Sequence, residues 1–233
     1  MTTEQKNEVR QYLLTKKLPL DIFIEIEDHI INQVEEFLLT DNKTFAEAFN
    51  QAKSSWRKDL ATEKYYNGNE IASFAKKIKD RETSKVFRNA LLSLILYFVL
   101  LFFTSKMLTK EVFVEFFIYH LYIFGAFPGV LYLLNIRIFN YIQKHPKVKF
   151  SIYQTSNFLV FFIGFLIFTV GSKAVFYAEN MYRFFNTCRD GFSPFLVCIV
   201  FSMFYFCGFY MQLSFINSFK KNKNFFKDVM AEN

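Results

Sequence analysis

The chain has 233 residues, 52% of them hydrophobic and 21% aromatic, with a positive mean hydropathy and a formal net charge of +7. This composition excludes an ordinary single soluble domain. The charge is uneven: residues 1–86 carry 14 Lys and Arg against 15 Asp and Glu, and residues 87–233 carry 14 against 6, so the basic excess sits in the apolar half, where the Lys and Arg bias of cytoplasmic loops explains it without nucleic acid.

The first residues lack an apolar core behind a basic start, so no secretory signal is expected. A first helix is predicted over residues 3–16, with Val9, Tyr12 and Leu13 on one face. Pro19 breaks it and opens a second helix over 20–39, because proline lacks an amide hydrogen and fits a first helical turn. There Phe23, Ile26, Ile30, Val34 and Phe37 form an apolar stripe, and Glu25, Asp28, Glu35 and Glu36 lie off it. Thr44 and Glu47 have the spacing of a capping box, in which each side chain reaches a backbone amide of the other's residue. The third helix then places Phe45, Ala48, Phe49, Ala52 and Trp56 on one face. Asn67, Gly68 and Asn69 signal a turn. A basic helical connector over 71–88, with Lys76, Lys77, Lys79, Arg81 and Lys85, is expected at an anionic lipid surface.

The order L-P-L-D (residues 18–21), E-I-E-D-H-I (25–30), F-A-E-A-F (45–49) and Trp56 resembles the HAAS-type, or permease-prefix, helical domain. The resemblance covers about a quarter of the chain. It implies a small cytosolic helical bundle at the N-terminus of a bacterial multi-pass membrane protein, with a signalling or interaction role and a transcriptional regulator of the PadR type among its associates.

Beyond the connector, the run 90–103 is uncharged and, extended to its basic flanks, reaches the roughly 20 residues that cross a bilayer. Three further spans are predicted at 112–134, 157–178 and 194–216. The resulting fold is all-α: a cytosolic bundle of three to four short helices over 1–70, the connector over 71–88, a four-span domain over 89–218 and a basic cytosolic tail over 219–233. Arg137, Lys144, Lys147 and Lys149 in one loop and Lys220, Lys221, Lys223 and Lys227 in the tail outweigh the charge of the opposite face. By the positive-inside rule both termini are cytoplasmic, and the expected location is a bacterial inner membrane.

Ionisable groups inside a span are expensive and mark functional paths. His120 is the one well inside, and it reads first as a neutral imidazole hydrogen-bonded to a neighbouring helix and second as a proton or ligand group. Glu115 is near enough to the outer interface to snorkel. Gly125 and Gly129 have G-x-x-x-G spacing around Pro128 and are helix-packing candidates. Glu25, Asp28 and His29 share a helical turn, but with no further His or Cys nearby they read as a polar face, not a metal site. The three cysteines form neither a disulfide framework nor a zinc spacing. No catalytic motif is present, and no cofactor or metal is expected.

The sequence therefore reads as a non-enzymatic membrane signalling or interaction protein. Its expected partners are the lipid bilayer, a soluble regulator or membrane subunit, and a second copy of itself, without direct contact to nucleic acid. Glu25, Asp28, His29 and Glu35 are the candidate partner-binding residues. A transporter or permease accessory subunit is the second reading, and a membrane enzyme on an apolar substrate, centred on His120, the third.

Overall fold

The computed structural model describes residues 1–16, 18–64, 70–145, 149–151, 173–188 and 191–231. In chain order they form α1 (Thr3–Leu14), α2 (Leu20–Thr40), α3 (Phe45–Ser55), β1 (Thr62–Lys64), β2 (Glu70–Ala72), α4 (Ser73–Met107), α5 (Lys110–Leu134), α6 (Ile136–Lys144), α7 (Ala174–Thr187) and α8 (Phe192–Ala231). The all-α expectation holds apart from one antiparallel hairpin, in which Thr62 faces Ala72 and Lys64 faces Glu70. Its three-residue strands are too short to show a period of two in the sequence. The turn residues 67–69 lie outside the described residues.

Contacts divide the chain into two compact units. The first comprises Met1–Thr83, His145–Ile152 and Ser218–Asn233. Its core joins α1, α2 and α3 to the hairpin and the first turns of α4, through Val9, Leu13, Phe23, Ile26, Ile30, Phe49, Ala52, Leu60 and Ile78. The expected capping box is present: Thr44 Oγ1 accepts from the Glu47 amide and Glu47 Oε2 accepts from the Thr44 amide. The Thr44 contacts hold the Glu47 carboxyl below its ordinary range. A second such box, Thr2 with Gln5, starts α1.

Pro19 offers no side-chain cap to α2. The Leu20 and Asp21 amides donate instead to the carbonyls of Lys149 and Phe150, and Asp21 Oδ2 accepts from the hydroxyls of Ser151 at 2.8 Å and Ser218 at 3.2 Å. Segments distant in sequence thereby close one unit. Buried Glu27 is held by Arg10 at 2.8 Å.

The connector expected at 71–88 and the first span form a single helix, α4, since no Pro or Gly interrupts 73–107. Lys76 and Lys77 of this helix are ion-paired to Glu63 at 3.0 Å and Asp59 at 2.7 Å. Ser73 also donates to Glu63, and with Lys76 it lowers that carboxyl's pKa. Similarly, α8 continues without a break through the expected tail to Ala231.

The second unit comprises Ser84–Lys144 and Tyr153–Asn217. Leu101, Phe113, Phe117, Ala178, Met181 and Phe185 form its core among α4, α5 and α7. Only 22%, 17% and 17% of the apolar windows of α4, α5 and α8 are buried, so most of their apolar surface faces outward, as for Leu92, Leu96, Leu100, Ile123 and Phe204. Such a surface has hydrocarbon as its natural solvent. Three helices are thus long and apolar enough to cross a membrane. The span predicted at 157–178 lies outside the described residues as far as 172; its last residues open α7, which continues to Thr187. Ile136–Lys144, expected as loop, is a short helix packed through Phe139 on Tyr132 and Phe215.

Within this unit several polar groups are paired across helices. Pro128 sits inside α5 and cannot donate to the carbonyl four residues earlier. That carbonyl, of Phe124, instead accepts from Tyr205 Oη of α8 at 2.7 Å, with the two rings stacked at 4.0 Å. Ser93 of α4 shares a hydrogen bond with Tyr210 of α8 at 2.7 Å. Lys106 donates to the Phe185 carbonyl at 2.8 Å and to Asn186 at 2.9 Å, which caps the last turn of α7, and Lys110 pairs with Glu179 at 2.9 Å. Gly191 has φ +85, and a Cβ there would meet the Asn180 carbonyl oxygen at 2.3 Å, so only glycine fits this turn.

Candidate functional site

The first unit carries an open polar groove of about 520 Å³ between α2 and the end of α3, lined by His29, Asn32, Gln33, Glu36, Trp56 and Asp59, with Ser55 at its edge. The residues on α2 recur at three and four positions and therefore share one face. Trp56, the C-cap of α3, forms the floor. Its indole Nε1 donates to Gln33 Oε1 at 2.9 Å, Ser55 Oγ approaches the same oxygen at 3.3 Å, and the far edge of the indole meets Phe74 at 5.4 Å. The exposed imidazole of His29 stacks on it at 6.3 Å and an interplanar angle of 26°.

The charge along this face is negative. Glu25, Asp28 and Glu36 are exposed on α2; Asp28 accepts from Asn32 at 3.4 Å, and among the described residues neither Glu25 nor Glu36 forms an ion pair. Asp59 is already occupied by Lys77. Carboxylates beside a half-buried indole suit an ammonium or guanidinium group, through charge and through the face of the ring.

Of the predicted partner-binding residues, the structure brings only His29 into the groove; Glu25 is exposed one turn before it on α2, and Asp28 reaches the groove edge by accepting from Asn32. It does not bring Glu35 there. Glu35 is half-buried and accepts from the N-terminal amino group at 3.3 Å, with Lys6 at 4.0 Å. Glu35 lies two turns along α2 from Asp28 and nearly in line with it, and its pairing with the N-terminal amino group and Lys6 is what takes it out of the exposed polar face. Trp56 and Glu36 were read from sequence as a helix-face residue and a polar-face residue but not as partner contacts, and Gln33 was not singled out; the α2 spacing identifies Gln33 and Glu36, whereas the Trp56 to Gln33 bond required the folded bundle.

In the second unit, His120 is half-buried in a ring stack, 5.3 Å from Tyr97, 5.3 Å from Phe124 and 6.0 Å from Phe116. Its Nδ1 is buried and makes no hydrogen bond, so aromatic packing replaces the interhelical bond expected there. Gly125 is buried, and a Cβ at Gly129 would meet nothing within 4 Å among the described residues. Glu115 is exposed. Sequence inspection also missed Gln212, whose amide is fully buried on α8 without a hydrogen-bond partner. No cluster of metal-ligating side chains occurs among the described residues.

These features define a mostly helical chain in which a compact helical bundle is followed by helices long and apolar enough to cross a membrane. Comparison of the chain with protein-family models, curated proteins and solved structures found no match.

Proposed function

We propose that this chain is a non-enzymatic signalling or interaction protein of a bacterial inner membrane, and that its bundle docks a basic segment of a soluble regulator or membrane subunit in the Trp56 groove. The observation that carries this reading is the combination, on one exposed face, of an indole floor with carboxylates that have no internal counter-charge. The resemblance of residues 5–60 to a HAAS-type domain points the same way.

Four spans with both termini cytoplasmic fit the helix directions. Along α5 and α8, Phe124 meets Tyr205 and Phe127 meets Phe209, so the two run parallel. Along α4 and α8, Phe98 meets Phe195 and Ser93 meets Tyr210, so these run antiparallel. Parallel crossings need a return crossing between them, for which the apolar stretch 157–178 is suited.

The test is recovery of partners by the detergent-solubilised full-length protein, against a variant with Asp28→Lys and Glu36→Lys. The proposal expects a partner that binds the unmodified chain through a basic segment and loses at least tenfold in recovery with the variant, the loss of two charge-assisted contacts. Equal recovery would remove the groove from the function.

A further inference from the structure

Beside His120 the helices of the second unit leave a narrow, half-open cavity of about 50 Å³. Tyr97 and Phe98 of α4, Phe124 of α5, Tyr177 of α7, and Phe201 and Ser202 of α8 supply much of its wall. Except for the deepest groups these residues are half-buried, so the space opens outward. At apolar helix faces, outward is lipid.

The wall is apolar except for a few hydroxyls and a thiol, and the hydroxyls are not equivalent. Tyr205, also at the wall, donates to the Phe124 carbonyl. Tyr97 Oη and Ser202 Oγ make no hydrogen bond among the described residues. Ser and Thr inside a helix commonly bond back to the preceding turn, as Thr104 does to the Leu100 carbonyl at 2.8 Å; Ser202 does not. An unpaired hydroxyl in hydrocarbon costs free energy that an acceptor would recover.

Depth restricts what can bring that acceptor. Tyr97 lies at the middle of the uncharged run 90–103, and Ser202 lies well within the apolar stretch 194–216. Phospholipid ester groups sit at the edge of the hydrocarbon layer, so an acceptor at mid-depth must travel on an apolar molecule. A slot with aromatic walls favours a flat ring over a bulky one. We propose that this cavity binds one lipid-soluble planar carbonyl compound, with the chemistry of a prenylated quinone, its ring between the aromatic walls and its carbonyl oxygen accepting from Tyr97 and Ser202. The site is separate from the bundle groove, so it stands even if the docking reading fails; it depends on α4, α5 and α8 crossing a bilayer.

The experiment uses the full-length protein in nanodiscs of synthetic phosphatidylcholine and phosphatidylglycerol, titrated with a decyl-substituted dimethoxy-methyl-benzoquinone. Quinone retained per chain is read by its absorbance, with empty nanodiscs measuring simple partition. The expected result is saturable uptake above partition, approaching one quinone per chain. Tyr97→Phe with Ser202→Ala should raise half-saturation about tenfold, since each lost hydrogen bond is worth a severalfold change. Phe201→Trp, which narrows the slot, should abolish the saturable part. Tyr97→Phe alone preserves the ring and should weaken binding about threefold, which keeps the test valid if the double variant does not fold. Uptake no greater than in empty nanodiscs, saturable uptake unchanged by Tyr97→Phe, or displacement by decane would each overturn the proposal, the last by assigning the slot to a hydrocarbon chain.

Discussion

The hydrogen bond from Tyr205 to the Phe124 carbonyl provides a sharp test of how the apolar unit is held together. Proline at 128 removes the amide that would have served this carbonyl, and Tyr205 supplies the missing donor from α8 at 2.7 Å. Tyr205→Phe keeps the ring and its 4.0 Å stack on Phe124, so it deletes the donor alone. A carbonyl left unpaired away from water should cost about 1–2 kcal/mol, near the upper end of interhelical hydrogen bonds measured in membranes. In a Pro128→Ala background the restored amide of residue 128 can close the intrahelical bond, and the same substitution should then cost under about 0.5 kcal/mol. The coupling of about 1 kcal/mol is to be measured by a double-mutant cycle, unfolding the purified protein with increasing SDS in mixed micelles and following far-ultraviolet circular dichroism. Equal costs of Tyr205→Phe in the two backgrounds would show that the hydroxyl does not substitute for the missing amide.

Gly191→Ala should destabilise the second unit by about 2 kcal/mol or more, because it combines a strained positive φ with a collision on the Asn180 carbonyl; a melting temperature unchanged from wild type would contradict the turn geometry. Arg10→Ala leaves buried Glu27 without its partner and should cost about 1–3 kcal/mol, a value discounted for the partial exposure of Arg10, whereas Arg10→Ala with Glu27→Leu should recover most of it; denaturant unfolding of the full chain reads both. The Glu47 carboxyl is held below its ordinary value by its bonds to Thr44. Its contribution is therefore complete above the unfolded-state pKa of about 4.3 and is lost as pH falls through the lower folded value. Glu47→Gln should flatten this part of the acid-side stability curve, and a curve identical to wild type would detach the capping box from acid stability.

The helices were largely legible because their signals are local. The α2 stripe from Phe23 to Phe37 shows a period near 3.6, and Thr44 with Glu47 announces α3 from a spacing of three. The same local logic, applied to the absence of Pro and Gly over 73–107, also contains the continuity of α4, although the change from charged to apolar composition there resembles a boundary. What sequence cannot display is pairing across the fold. Tyr205 looks like any interfacial aromatic until Pro128 exposes a carbonyl beside it, and Glu35 looks like its neighbours on α2 until the chain's amino group folds back on it. The groove shows the same limit: His29 was found from its charge neighbourhood, whereas its indole floor comes from a residue 27 positions later.

The most direct measurement of the central claim is photo-crosslinking in living cells, with a photoactivatable amino acid at Asn32 on the groove rim and, as control, at Glu8, which is exposed on α1. Partner docking in the groove predicts one defined adduct from position 32, absent from position 8 and lost when Asp28→Lys and Glu36→Lys are added. No adduct from position 32, or the same adduct from both positions, would contradict it.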